Sequence, residues 1–331
     1  MINYFTFMLT IAGIYAMLGL GLVTIWGQGG MVNLGLVGFF ALGAYASALL
    51  TNYGVPIGLG WLGGAVIAGI VGVLLTSVTR KMSGDYLAIV SLGFAEVIRL
   101  AATNETWLTK GSDGISGIRA PFKPELGESF GIAYLVLVWV TIGVVAWGLT
   151  RLLRSPYGRA VRAVRDDEQV ASVAGKPSVH LKVKTFCVGA AISGLAGAIY
   201  AHLTSFIAPD GFVPLLTIYI FLAVTLGGYT RVKGAVVGAI LLVLLLESTR
   251  FLGGLIPGLN AVQIASLREI VIAATLIVVM QLRPQGLLPE KNDLYVTSTS
   301  SSGNAGVAQT AAIDKAPTAA EANSTLAGAK S

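Results

Sequence analysis

The chain has 331 residues, of which 55% are hydrophobic and only 11% are charged, with a formal net charge of +6. Soluble domains carry about 25% charged residues, so a water-soluble fold of this length has too few polar side chains to cover its surface. The bilayer must therefore act as solvent for much of the chain. This composition excludes a soluble enzyme. The positive charge does not indicate nucleic-acid binding either, because no basic face with interleaved aromatic residues is present.

The chain contains nine apolar segments that are candidates for membrane-spanning helices. A spanning helix needs about 20 residues, because each residue adds about 1.5 Å to a helix that crosses a hydrocarbon core of about 30 Å. The seventh and eighth segments are short, so we expect about nine spanning helices, with eight to ten as the range. The sequence thus predicts an all-α polytopic membrane protein with segments at 4–25, 32–50, 55–78, 86–102, 132–149, 185–206, 215–226, 234–246 and 263–282.

Lys and Arg residues are concentrated in every second loop between these segments. Cytoplasmic loops carry an excess of Lys and Arg, so this alternation sets the orientation. It predicts an outside N-terminus and a cytoplasmic C-terminus. The basic loops follow the third, fifth, seventh and ninth segments and contain Arg80 and Lys81, the eight cations of residues 151–184, Arg231 and Lys233, and Arg283, Lys291 and Lys315.

The loop at 151–184 combines positive and negative charges. Attraction to anionic lipid headgroups, worth about 1 kcal/mol per cation near the membrane, explains basic residues such as Arg151. It does not explain the acidic run Asp166-Asp167-Glu168, which an anionic surface repels. Residues 160–174 have a helical composition and are followed by Gly175, a residue type that favours the position after a helix. A helix of mixed charge predicts a docking point for a soluble protein, and therefore a transport subunit that another protein drives.

The chain lacks the sequence signatures of an enzyme. Gly58-x-Gly60-x-x-Gly63 fits the dinucleotide-binding pattern, but no soluble strand precedes it and position 81 is a lysine where an acid is needed. The sequence has no Gly-x-x-x-x-Gly-Lys-Ser/Thr motif, so the chain does not bind ATP through a P-loop. Its two histidines and its one cysteine have no companions at metal-ligand spacing. We therefore predict no catalytic residue, no metal site and no cofactor bound by this chain.

Three polar residues in apolar surroundings are candidates for a solute pathway: Asn33, Glu96 and Arg99. Glu96 lies about 15 Å along a helix that starts near residue 86, and the i, i+3 spacing places Arg99 on the same face. An unpaired charge at that depth is costly. The two residues therefore either neutralise each other or line a polar route or a subunit interface. Asn33 follows a glycine-rich break, where it either caps a helix or contacts a passing solute.

Several separated motifs occur in one order along the chain. They are Gly30-Met-Val-Asn-Leu-Gly, Asp85-Tyr-Leu-Ala-Ile-Val, Thr109-Lys-Gly-Ser-Asp-Gly, Ser155-Pro-Tyr-Gly-Arg-Ala-Val-Arg-Ala-Val-Arg-Asp-Asp-Glu, Ser193-Gly-Leu-Ala-Gly, Leu226-Gly-Gly, Gly234-Ala-Val-Val-Gly-Ala and Arg283-Pro-Gln-Gly-Leu-Leu. In this order they resemble the permease subunits of branched-chain amino acid ABC transporters, and specifically the LivM-like member of the LivH/LivM pair. The resemblance extends from about residue 20 to residue 289.

The resemblance implies that residues 162–175 act as a coupling helix between the fifth and sixth spanning helices and dock into an ATPase subunit. It implies a multi-pass subunit of the bacterial cytoplasmic (inner) membrane, surrounded by lipid, that is not an enzyme and does not bind nucleic acid. Its implied partners are a second, LivH-like permease subunit, two cytoplasmic ABC ATPase subunits that bind ATP and Mg²⁺, and a periplasmic or extracellular solute-binding protein. The residues assigned to coupling are Arg159, Arg162, Arg165, Asp166, Asp167, Glu168, Ala171 and Gly175.

The sequence leaves other functions open. Urea and short-amide ABC permeases share the resembled architecture, so the solute is not fixed. A secondary transporter would work without ATP, and Glu96 is its best candidate for a buried proton carrier. A membrane enzyme would need clustered catalytic side chains, which the sequence does not offer. In domain terms, we expect a permease domain at 1–290, which includes the loop at 151–184. Residues 291–331, rich in Ser, Thr, Ala, Asn and Gly, predict a disordered cytoplasmic tail.

Overall fold

The computed structural model describes residues 2–80, 82, 84–121, 127–255, 261–282 and 286–288. These residues form a bundle of helices joined by turns. The helices are α1 (Ile2–Leu22), α2 (Leu36–Asn52), α3 (Ile57–Val78), α4 (Asp85–Asn104), α5 (Thr106–Thr109), α6 (Phe130–Arg154), α7 (Pro156–Asp166), α8 (Glu168–Val173), α9 (Ser178–Thr204), α10 (Pro214–Gly227), α11 (Val232–Leu255) and α12 (Ala261–Leu282). A π-helical stretch, Val23–Gln28, extends α1. The predicted tail at 291–331 and the cations Lys81, Arg283, Lys291 and Lys315 lie outside the described residues.

Each of the nine predicted apolar segments coincides with one long helix. In the described part of the chain, seven helices are long and apolar enough to cross a membrane. A further apolar helix, α2, has 17 residues. The chain is therefore an all-α polytopic membrane protein, while the exact count of nine crossings stays a prediction. The seven candidate spans are Asn3–Gln28, Ile57–Val78, Asp85–Asn104, Phe130–Arg154, Ser178–Thr204, Pro209–Gly227 and Val262–Leu282.

The loops that follow α3, α6 and α10 meet at one end of the bundle, which we call the basic end. Arg80 and Arg165 line the same cleft there, and Gln28 donates a hydrogen bond of 2.6 Å to the carbonyl of Thr230. At the opposite end, strands β1 (Ile115–Ser116) and β2 (Phe206–Ile207) pair antiparallel. The basic loops, which alternate with less basic loops along the chain, thus lie together at one end of the bundle. That the basic end faces the cytoplasm stays a prediction.

Helix α9 occupies the centre of the bundle, where it packs against α1, α2 and α3. Small residues on α9 allow this close approach, as is typical of helix pairs in membranes. A β-carbon on Gly43 of α2 would collide with the backbone of Gly194 on α9, and one on Gly197 would collide with the carbonyl of Phe40. The high glycine content of the sequence therefore serves packing within this subunit at these positions.

Replacing Gly43 with leucine is expected to destabilise the bundle by about 1–3 kcal/mol or more, because the added side chain has to displace the α9 backbone. The measurement is the thermal unfolding temperature of the purified protein in detergent. Gly148 on α6 is the matched control, because a β-carbon there meets no atom within 4 Å. Equal unfolding temperatures for Gly43→Leu and Gly148→Leu would contradict the packing role.

The chain returns to the basic end at its last described residues. The backbone N–H of Leu287 donates to the carbonyl of Leu226 (2.9 Å), and that of Leu288 donates to Gly227 (3.1 Å). Gly286 has a positive φ of 71°, which favours glycine. The Leu226-Gly-Gly turn and the Gly286-Leu-Leu segment, about 60 residues apart in the sequence, are therefore joined by backbone hydrogen bonds.

Candidate functional site

Two short helices at the basic end, α7 and α8, form the segment that we call the coupling segment (residues 156–175). Ser155 precedes α7 and Pro156 occupies its first turn, a favoured proline position. The sequence predicted one helix over 160–174, which is wrong in detail: α7 starts earlier, and Asp167 adopts an extended conformation that separates it from α8. The Asp167 carboxylate then accepts a hydrogen bond of 2.9 Å from the N–H of Val170. Asp167 thus ends one helix and caps the next.

Gly175 ends α8, as the sequence predicted. Its φ is +77°, its N–H donates to the carbonyl of Ser172, and the N–H of Lys176 donates to that of Ala171, both at 3.0 Å. This pair of hydrogen bonds is the Schellman arrangement that satisfies the last carbonyls of a helix. The chain therefore leaves α8 in a fixed direction toward α9.

The inner face of the coupling segment packs against the basic end of α9. Val161, Val164, Ala171 and Leu181 form a buried cluster. At its edge, the hydroxyls of Tyr157 and Thr185 share a hydrogen bond of 2.9 Å. Burial raises the pKa of the Tyr157 hydroxyl, although the hydrogen bond with Thr185 acts in the opposite direction. Tyr157 therefore stays neutral near pH 7, and Ala171, assigned to coupling, contributes to this packing.

Two arginines fasten the coupling segment to the end of the first spanning helix. Arg165 donates from Nη1 to the carbonyl of Gly27 at 2.9 Å. Arg162 donates to the carbonyl of Leu153 at 3.0 Å and lies 3.5 Å from Oε1 of Gln28. The other side of the Gln28 amide contacts Thr230, as described above. These hydrogen bonds link the segment to the turns that follow α1 and α10, so the structure directs both arginines toward their own chain.

The outer face of the coupling segment is open to solvent. Val170 is 65% exposed and Val173 is 91% exposed, although both are apolar. Apolar residues rimmed by charge are typical of a protein contact surface. Sequence reasoning missed these two valines, and their presence in a hydrophilic loop was the available signal. The candidate coupling residues on this exposed side are Arg159, Asp166, Asp167, Glu168 and Gly175.

Two acids of the coupling segment form ion pairs. Asp166 accepts from Nε of Arg165 at 2.9 Å, and Glu168 accepts from Nζ of Lys182 at 2.5 Å. Exposed pairs of this kind contribute about 0–1 kcal/mol to stability. The two pairs neutralise the charges of Asp166 and Glu168. Asp167 is the acid of this run that has no cationic partner among the described residues.

Glu96 and Arg99 pair with each other on α4. Arg99 donates from Nε to both carboxylate oxygens, at 3.2 and 3.0 Å, and from Nη2 at 2.5 Å. The Arg99 and Glu96 side chains are 24% and 38% exposed, so the pair lies at the surface of this chain rather than inside the bundle. A charge pair on the side of a spanning helix is compatible with a wet cavity or a neighbouring subunit, and costly against lipid.

Asn33 lies in the interior, before the start of α2, and is fully buried. Its Oδ1 accepts a 2.8 Å hydrogen bond from the N–H of Gly35, an Asx turn that precedes α2. Its Nδ2 has no partner among the described residues. The neighbouring N–H of Leu34 donates to Ser91 Oγ at 2.9 Å. The structure therefore places Asn33 at a junction between α2 and α4, and not beside the Glu96–Arg99 pair at the surface.

His202 is buried near the opposite end of the bundle, on α9. Its Nε2 lies 3.0 Å from Ser47 Oγ and its Nδ1 lies 2.5 Å from the carbonyl of Arg119. Both ring nitrogens are thus used in packing helices and a loop together. In the part of the chain that the structure describes, no group of three or more His, Cys, Asp or Glu residues could hold a metal ion.

Comparison with known proteins identifies relatives over most of the chain. Residues 4–280 match the family model described as branched-chain amino acid transport system / permease component. The permease protein LivM of the high-affinity branched-chain amino acid transport system is 34% identical in Salmonella typhimurium and in Escherichia coli K12, over 85% of this chain and 69% of each relative. The LivH permease of E. coli K12 is 26% identical, over 84% of this chain and 92% of LivH.

No solved structure matches this chain. The family model nevertheless covers residues 4–280 and thus the whole coupling segment, and the match to LivM covers 85% of this chain. The helical bundle, its apolar outer surface and the fastened segment at its basic end agree with a membrane transport subunit. The chain therefore belongs to the family of branched-chain amino acid transport permease components, and it is a LivM-like permease subunit of an ABC importer.

Proposed function

We propose that this chain forms half of the translocation pathway of an ATP-driven importer of branched-chain amino acids in the bacterial inner membrane. A LivH-like permease supplies the other half, and two cytoplasmic ATPases that bind ATP and Mg²⁺ dock at the basic end. A binding protein outside the membrane delivers the solute. The names of the LivM and LivH relatives support this proposal. The chain itself hydrolyses nothing, and its C-terminus lies in the cytoplasm.

One observation carries the coupling part of the proposal: the coupling segment has two differently used faces. Its inner face is tied to the bundle by the buried cluster around Val161 and Val164 and by Arg165. Its outer face presents Val170, Val173 and charged residues to solvent. A rigid segment that is fixed on one side and free on the other transmits a displacement of a docked partner to the membrane helices.

In this mechanism, closure of the ATPase pair pushes the coupling segment, and the segment moves the ends of α1 and α10 through Arg165 and through Arg162 and Gln28. The bundle then changes from outward-facing to inward-facing. Coupling requires the ATPase to make different contacts in the two states, because a partner with equal affinity for both states shifts no equilibrium. The Glu96–Arg99 pair is the proposed polar part of the solute route. Asn33, which lies just before the start of α2, is the third candidate residue of this route.

The double replacement Val170→Asp and Val173→Asp is expected to lower binding-protein-stimulated ATP hydrolysis about tenfold or more, because it places two charges in an apolar contact. The measurement is ATP hydrolysis of the assembled complex in proteoliposomes. The matched control is Gln169→Asp, an exposed residue of the same helix. Replacing Asp166, Asp167 and Glu168 together by Ala is the companion variant for the acidic rim. If both variants keep the stimulated rate, the ATPase does not dock here.

The same proteoliposomes test the solute. Uptake of labelled L-leucine that depends on ATP and on the binding protein is the expected result. Uptake of urea or acetamide in place of leucine would assign the chain to the short-amide importers. Uptake driven by an ion gradient without ATP would indicate a secondary transporter and would remove the need for the coupling segment.

A further inference from the structure

A cleft of about 220 Å³ lies at the basic end, between the coupling segment, the end of α3, the start of α4 and the start of α9. The cleft is thus large enough for several water molecules. Sites for drug-sized ligands and cofactors measure about 300–1,000 Å³. The cleft is therefore smaller than a typical cofactor site, and its size suits a small solute.

Two opposite charges in this cleft have no ionic partner among the described residues. Arg80, just after α3, is exposed and lines the cleft, and it makes no hydrogen bond or ion pair with another residue that the structure describes. Asp167 uses one carboxylate oxygen to cap α8, as described above, and no cation in the described part of the chain lies at ion-pair distance from it. The remaining charges of the cleft neutralise each other, as Arg165 with Asp166 and Lys182 with Glu168. Among its described residues, the cleft thus presents Arg80 and Asp167 as a cation and an anion for a ligand.

Apolar side chains, among them Met31, Leu87, Val164 and Val183, line another part of the cleft, together with Thr76 and Thr79. A ligand that satisfies all of these features carries an anionic group, a cationic group and a short aliphatic part. An α-amino acid with an aliphatic side chain has this composition. Urea and simple amides lack both charges, and an inorganic anion lacks the cation and the apolar part.

We propose that this cleft is a regulatory site for a zwitterionic aliphatic amino acid on the basic side of the membrane, with the carboxylate at Arg80 and the ammonium at Asp167. The inference rests on the proposed function, because it identifies the regulator with the chemical class of the transported solute. A bound amino acid bridges α3 to the junction of α7 and α8. It therefore restrains the coupling segment and slows the transporter when its product accumulates.

The test uses proteoliposomes in which the assembled transporter has its ATPases outside and its binding protein inside. L-Leucine is added to the bath, and ATP hydrolysis of each variant is normalised to its own rate without leucine in the bath. We expect leucine to inhibit the wild type, and Arg80→Gln to raise the inhibitory concentration about tenfold or more, since a charge-assisted hydrogen bond is lost. Lys184 is an exposed cation of α9 outside the cleft, so leucine should inhibit the Lys184→Gln variant at the same concentration as the wild type.

Chemical probes separate the ligand groups. Leucinamide lacks the carboxylate and N-acetylleucine lacks the ammonium, so neither should inhibit at the concentration at which L-leucine does. Equal inhibition by leucinamide, an Arg80→Gln variant as sensitive as the wild type, or no inhibition of the wild type would each overturn the proposal. Phosphatidylethanolamine also pairs an ammonium with an anion. If Arg80→Gln changes hydrolysis only in vesicles containing that lipid and independently of leucine, the cleft holds a headgroup and the proposal fails.

The two proposals fail differently. Absence of ATP-dependent leucine uptake in the wild type would contradict the proposed function, whatever residue occupies position 80. Normal leucine uptake without inhibition from the ATPase side would leave the importer assignment intact and remove only the regulatory site.

Discussion

Replacing Arg165 with alanine is expected to reduce ATP-driven solute uptake about tenfold or more while ATP hydrolysis continues. Arg165 donates to the carbonyl of Gly27, and a hydrogen bond to a charged group contributes about 1.5–3 kcal/mol, which corresponds to one to two factors of ten in an equilibrium. Without it, the coupling segment still docks its partner through the outer valines, but the movement no longer reaches α1. Uptake and hydrolysis are measured on the same proteoliposomes, and the ratio of the two is the readout.

Arg154→Ala is the matched control for this prediction, because Arg154 is an exposed arginine in the last turn of α6 and is not among the candidate coupling residues. It should keep the ratio of uptake to hydrolysis. Gly30 offers a second variant, since a β-carbon there would lie 2.9 Å from Cγ of Arg165 and its φ of +68° also favours glycine, so Gly30→Val should lower the ratio through both effects. A normal ratio in Arg165→Ala would show that the hydrogen bond to Gly27 does not carry the coupling.

Replacing Glu96 with alanine is expected to lower the amount of folded protein in the membrane, because it leaves Arg99 unpaired on a spanning helix. An arginine at the centre of such a helix costs about 2.5–3.5 kcal/mol in insertion. The measurement is the yield of monodisperse protein after extraction in detergent. The double variant Glu96→Ala with Arg99→Ala should recover the yield, since no unpaired charge remains.

The exchange Glu96→Arg with Arg99→Glu separates the two interpretations of this pair. It keeps an i, i+3 ion pair on the same face of α4. If the residues only neutralise each other, both the yield and the uptake recover. If they line the solute route, the yield recovers and the uptake does not, because the order of the charges along the pathway is reversed. Loss of yield in the exchanged variant would contradict an ion pair as the reason for the residue types.

Hydrophobic length and charge placement predicted much of the fold. Each apolar segment became a helix because a chain in lipid has to satisfy its backbone hydrogen bonds internally. The end of α8 at Gly175 was equally predictable, since a glycine readily adopts the positive φ that a helix terminus of this kind needs. The break at Asp167 was not predicted, because the same residue type is compatible with a helix interior and with a cap.

The roles of individual polar residues depended on three-dimensional contacts. The sequence indicated that Arg162 and Arg165 were surface charges. In the fold they contact Gln28 and Gly27, which are more than 130 residues away in the sequence. Glu96 and Arg99 were correctly expected to share a face, because helical spacing is local. Which side of the bundle this face occupies depends on the packing of α4, which spacing does not encode.

The sequence by itself determined that this is a helical membrane protein with basic loops on one side, since both properties follow from hydropathy and charge counted along the chain. The tertiary structure decided which polar groups lie in contact: Arg165 with the carbonyl of Gly27, His202 with the distant carbonyl of Arg119, and Arg80 and Asp167 around one cleft. Such contacts depend on how whole helices pack, and packing brings together residues that no local sequence pattern connects.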